Sequence, residues 1–113
     1  MTDTVHSKTL KQMLDNNLNL ILLDVRDNNK FLMGSISHAN APTKNVPYLS
    51  MKEADKLFDD ETAKQMENAQ IVTICTTGNK AQKAAALLRE NGFKATALLG
   101  GLSAWDEENR DNE

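Results

Sequence analysis

One side chain in this sequence has a type and a setting that suit nucleophilic chemistry: Cys75, the single cysteine of the chain. It ends the apolar run Gln70–Cys75 and is followed by Thr76, Thr77, Gly78 and Asn79, small or polar turn formers, before a helical pattern begins at about Lys80. Strand, tight loop and helix are therefore expected in that order. A thiol at this junction lies under the positive end of a helix and among backbone N–H groups that have no intrahelical partner. Both effects favour thiolate over thiol, and the thiolate is the nucleophile. The competing reading is structural, because a free cysteine is most often a small buried residue finishing a core strand. A core cysteine, however, has no need of a strand-to-helix turn of this kind.

A cysteine phosphatase also wraps a loop around a thiolate, but such enzymes resemble C-x5-R. Here the sixth position after the cysteine is Ala81, and the cation comes one residue sooner at Lys80. The shorter loop makes a tighter ring of N–H donors, suited to a single sulfur atom rather than a tetrahedral phosphate. Lys80 either binds an anionic substrate or is a solvated first-turn lysine. A cation there is slightly unfavourable for the helix dipole, which favours the functional role. Gly78 supplies a backbone angle that other residues resist. His6 and His38 cannot be placed beside Cys75, so a Cys–His dyad is not supported.

The 113 residues, 40% hydrophobic and 26% charged, fit one domain with a modest core. No apolar run reaches the length of a membrane span, and the N-terminus MTDTVHSK lacks a signal peptide's apolar segment. One cysteine excludes an internal disulfide and a multi-cysteine zinc site, so neither metal nor cofactor is expected and a reducing cytoplasm is the expected location. The net charge of −3 is concentrated in the last eight residues, which carry −4. The rest is close to neutral, which permits an anionic substrate at Lys80 and shows no basic nucleic-acid face. Residues 1–105 are read as one domain and 106–113 as an acidic, disordered tail.

The elements that must hold the thiol follow from periodicity. Val5 begins a short edge strand, and Ser7 caps a helix with Leu10, Met13 and Leu14 on its face, closed by Asn16 and Asn17. Leu18–Val25 is a near-continuous apolar run, as expected of a central parallel strand. Arg26–Asn29 forms a polar turn and Phe31–Met33 one helical turn, ended by Gly34. Residues 36–47 are loop or extended chain, with a weak strand near Ala39–Ala41. Ser50 with Glu53 predicts a capping box, with Leu49 and Ala54 as its hydrophobic staple and Met51, Ala54, Leu57 and Phe58 as the apolar face. Thr62 with Gln65 predicts a second box ahead of a helix over residues 63–67. After Cys75, Ala81, Ala84, Ala85 and Leu88 mark a helix that can lie close to a sheet, stopped at Asn91-Gly92. Phe93 packs back on it, Ala95–Leu99 is a third clear strand, Gly100-Gly101 a sharp turn, and residues 102–105 a final helix with Trp105 as a core plug. Alternating strands and helices predict an α/β fold with a mainly parallel central sheet and helices on both faces. In such sheets ligands bind at the carboxyl ends of strands, where Cys75 and Asp24 both lie. Asp24 and Arg26 either line the same rim or, as rim polar groups more often do, serve the structure, with Asp24 accepting turn N–H bonds.

Three segments together resemble a known family, the rhodanese-like domains (single-domain sulfurtransferases). LLDVRDNNKFLMGSISHA, residues 22–39, looks like the family's strand ending in D-V-R with its following aromatic, G-H-I and G-A. IVTICTTGNKA, 71–81, looks like the active-site strand and loop, commonly C-R-x-G-x-R-S. GFKATALLGGLSAW, 92–105, looks like the closing G-F, strand, G-G and A-W. The departures are specific. Lys30 stands where members often have a glutamate, so a presumed ion pair from that position to Arg26 is lost. Ser35 replaces the histidine of G-H-I and His38 a glycine. Thr76 and Lys80 stand for the loop's arginines and Ala81 for its serine. Lysine keeps the charge but not the planar fork of arginine.

The resemblance implies a sulfurtransferase. Cys75 takes sulfane sulfur from a small anion such as thiosulfate, forming a persulfide, and a thiol or cyanide removes it in ping-pong fashion. The N–H groups of Thr76, Thr77, Gly78, Asn79 and Lys80 hold the persulfide charge, and Lys80 binds the donor. The expected partners are the donor anion and a thiol acceptor, a protein acceptor among them, with no nucleic acid or membrane. The rival reading is a non-catalytic rhodanese-like binding module that keeps Cys75 but does not turn over.

Overall fold

The computed structural model describes residues 3–16, 19–54 and 57–110. Five short strands form one sheet: β1 (Thr4–Val5), β2 (Leu20–Asp24), β3 (Thr43–Asn45), β4 (Gln70–Ile74) and β5 (Ala95–Leu98). Their order across the sheet is β1-β5-β4-β2-β3, and every pairing is parallel. Among the described residues five helices lie between the strands, α1 (Ser7–Asp15), α2 (Asn28–Leu32), α3 (Tyr48–Glu53), α4 (Asp60–Glu67) and α5 (Asn79–Glu90), and α6 (Gly101–Arg110) follows β5. The architecture is the α/β one expected, with helices on both faces.

Strand alternation divides the core. Ile21, Leu23, Val25, Ile71 and Cys75 point to one face, beneath Met51 of α3, Met66 of α4 and the alanine stripe of α5. Leu20, Leu22, Val72 and Ile74 point to the other, beneath Leu10 and Leu14 of α1, with Leu102 and Trp105 of α6 packed against them. Burial on both faces explains why β2 and β4 read as unbroken apolar runs. Each fully buried leucine or isoleucine contributes about 1.5–3 kcal/mol of transfer free energy. The period of two also fixes the thiol's side: Cys75 shares its face with Ile71 and Thr73, and that face is roofed by α5.

Several local expectations are corrected. Ser7 is not the α1 cap; His6 is, with Nδ1 accepting the Lys8 N–H at 3.3 Å, while Ser7 is buried inside the helix. The closing residue is Asn16; Asn17 and Leu18 lie outside the described residues. The strand placed at residues 39–41 reduces to one antiparallel bridge between His38 and Ala41, and the true strand β3 comes two residues later. Thr43, Lys44 and Asn45 carry no apolar signal; they are a strand because they pair with Leu22, Leu23 and Asp24. Neither capping box forms. The first helix begins early, after Pro47, so Ser50 lies inside it. Ala54 is already extended, which leaves no staple. The second is capped by Asp59, whose carboxylate accepts the Thr62 N–H at 2.7 Å. The last helix runs to Arg110, so residues 106–110, read as part of a disordered tail, are helical; residues 111–113 lie outside the described set.

Candidate active site

Cys75 follows the last residue of β4, and its Sγ faces the turn into α5. The Gly78 N–H donates to it at 3.0 Å and the Ala81 N–H at 3.3 Å. The chain from 75 to 81 therefore turns around the sulfur, with these two amides aimed at it. Three features hold that loop. Gly78 is the N-cap of α5 at φ 105, and a Cβ there would press on the Gly100 amide nitrogen at 3.2 Å. Gly101, at φ 62, leaves room for the carbonyl oxygens of Cys75 and Thr76, into which any Cβ would run. Those same carbonyls accept N–H bonds from the start of α6, Leu102 to Cys75 at 2.8 Å and Ser103 to Thr76 at 3.1 Å. With the carbonyls satisfied on the α6 side, the amides are free to face the sulfur.

Sequence reasoning missed two contributors. The Ala81 side chain belongs to the buried stripe of α5, but what serves the sulfur is its amide, which any residue but proline carries. Thr73, fully buried in β4, donates its hydroxyl to the Ala81 carbonyl at 2.7 Å and so ties the first turn of α5 to the sheet. A polar residue inside an otherwise apolar strand was the available signal.

Asp24 is not on the rim. It is fully buried and accepts from its own turn and from Arg26: the Arg26 amide at 3.0 Å, Nε at 3.0 Å and Nη2 at 2.7 Å. The Ser35 hydroxyl adds a fourth donor at 2.7 Å, and Arg26 Nη2 also reaches the Gly34 carbonyl at 2.6 Å. Ser35, at the position of the family's histidine, thus has a defined partner. Asp24 accepts its turn N–H bond, and what it holds in place is Arg26.

Arg26 does reach the site. It lines a cavity of about 280 Å³ together with Lys30, Cys75, Thr76, Thr77, Asn79 and Lys80. Of the site residues named from sequence, Thr76, Thr77, Asn79 and Lys80 are exposed around this cavity, while Gly78 lies buried beneath, contributing its amide. Cys75 is 4% exposed, so its contact with the outside is through the cavity. Lys30, at the position where family members often carry a glutamate, is part of the wall. Among the described residues, no group of three or more His, Cys, Asp or Glu is placed to hold a metal.

A five-stranded parallel sheet with a lone thiol in an amide-lined loop at its carboxyl edge defines a rhodanese-type α/β fold. The family model for the rhodanese-like domain matches residues 6–108, and the chain belongs to that family. It is 34% identical over 99 residues to the adenylyltransferase and sulfurtransferase MOCS3-2 of Zea mays, covering 87% of this chain and 20% of that protein. The chain thus spans about a fifth of the length of that relative. Over nearly whole lengths, 94% of this chain and 92% of the other, it is 26% identical to the putative sulfurtransferase YtwF of Bacillus subtilis (strain 168). The human single-domain sulfurtransferase TSTD1 superposes with a TM-score of 0.77 at 22% identity, covering 96% of this chain and 98% of that one, a likeness of fold.

Proposed function

We propose that this chain is a sulfurtransferase that carries sulfane sulfur on Cys75. The observation that carries the proposal is the sulfur itself, held by two converging N–H donors at the floor of a cavity with cations in its wall. Amide donors aimed at a sulfur stabilise negative charge on it, first as thiolate and then as the terminal sulfur of a persulfide. With thiosulfate as donor, the Cys75 sulfur attacks the outer sulfur. A new S–S bond forms, the bond to the sulfonate sulfur breaks with its electron pair, and sulfite leaves. In the second half-reaction an acceptor thiolate, or cyanide, attacks the terminal sulfur and Cys75 departs as thiolate.

The roles follow from position. The amides of Gly78 and Ala81 hold the nucleophile, Thr76, Thr77 and Asn79 shape the mouth, Lys80 attracts the anion, and Arg26, paired with Asp24, forms part of the wall. The relatives named as sulfurtransferases support the same reaction class. A thiol, small or on a protein, is the proposed acceptor, and a reducing cytoplasm the proposed setting, where the lone cysteine stays available between cycles.

The first test is mass spectrometry after incubation with thiosulfate. The expected result is one added sulfur atom on Cys75, lost on addition of cyanide with release of thiocyanate. Cys75→Ser should abolish both. An unmodified wild-type protein that yields no thiocyanate above the variant would leave a non-catalytic binding module as the better description.

A further inference from the structure

Three cations line the cavity above Cys75, and none of its lining residues is acidic. They are not equivalent. The guanidinium of Arg26 is committed to Asp24 and to the Gly34 carbonyl, so a buried carboxylate next door largely offsets its charge. Lys30 and Lys80 are exposed, arise on different helices, and have no ion-pair partner among the described residues. The field at the mouth is therefore set mainly by this lysine pair, one from α2 and one from the first turn of α5. Like-signed charges around a cleft concentrate ions of the opposite sign there.

We propose that Lys30 is a specificity-determining residue of the site, making it select sulfur donors that carry a negatively charged group beside the transferred sulfur. The inference rests on the sulfurtransferase reading for its substrate class. Lys30 does not touch the reacting bond. With Lys80 it brackets the anionic end of the donor while the outer sulfur meets Cys75. Exposed charges act through water and salt, so the expected selectivity is several-fold, not thousands-fold.

Iodoacetate and iodoacetamide test this directly. Both alkylate Cys75 by the same displacement, in which the sulfur pair forms an S–C bond and iodide leaves; they differ by one negative charge. At low salt the ratio of the iodoacetate rate to the iodoacetamide rate should exceed that of free cysteine. Lys30→Glu should lower the ratio by about fivefold and Lys30→Met by less, both converging on wild type at high salt as charges are screened. In thiosulfate turnover, Lys30→Glu should raise KM several-fold with kcat little changed, as loss of ground-state attraction does. Thermal melts confirm that the variants are folded, and the salt dependence of the wild-type ratio needs no substitution at all. A ratio that ignores salt, or is the same in wild type and Lys30→Glu, overturns the role of Lys30 even if the persulfide forms. Charge-selective alkylation without a persulfide from any donor overturns the donor assignment together with the sulfurtransferase reading.

Discussion

The Asp24 carboxylate, fully buried, is met by the Arg26 guanidinium, the Arg26 amide and the Ser35 hydroxyl. Replacing it by alanine strands a largely buried guanidinium, and breaking such a pair costs about 3–5 kcal/mol. Asp24→Ala should therefore shift the urea midpoint sharply downward. Asp24→Asn keeps an acceptor but loses the charge and should fall between that variant and wild type. Both outcomes are read from denaturation monitored by circular dichroism. If Asp24→Ala unfolds at the wild-type midpoint, the pair is not structural. The sequence showed Asp24 at a strand end but not which cation it meets. That choice depends on α2 and the Gly34–Ser35 turn folding back over the strand.

At the scale of the element, helix ends were harder to read than helix faces. Ala81, Ala84, Ala85 and Leu88 were legible as a buried stripe because the period of 3.6 needs only the local sequence, and all four are fully buried. Caps depend instead on a choice between nearby hydroxyls, carboxylates and ring nitrogens, settled by the angle at which the chain enters the helix. Asp59 won over Thr62 for α4. Bonds from Thr62, its hydroxyl first and its amide next, hold the Asp59 carboxyl below its ordinary value. A lowered carboxylate contributes stability above its unfolded value, and that contribution is lost as pH falls through the folded one. Asp59→Ala should thus lower the thermal midpoint by a few degrees at neutral pH, with the gap closing below about pH 4. A gap that persists unchanged into acid would assign the effect to something other than the ionised cap.

For the molecule as a whole, sheet order predicts where the fold opens first. β4 lies between β5 and β2, with strands paired on both sides, whereas β1 and β3 are edges of two and three residues. Hydrogen exchange should be slowest at Ile71–Ile74 and Leu20–Asp24 and faster in both edge strands. Early exchange across β4, including the residues leading to Cys75, would contradict a site built on the most stable part of the domain. The same sheet shows how far local pattern reaches. Runs of apolar residues, an alanine stripe, glycines in the turns and a lone cysteine after a strand are each written in neighbouring residues, so the α/β class and the strand–loop–helix junction that carries Cys75 followed from sequence alone. β3, the tie from Thr73 to Ala81, the pairing of Asp24 with Arg26, the closure of α6 against the loop carbonyls and the place of Lys30 in the cavity wall did not. Each joins residues distant in the chain or turns on which of several polar groups comes nearest. Only the packed tertiary structure makes that selection, because a hydrogen bond or a charge acts over ångströms of space and is indifferent to separation along the chain.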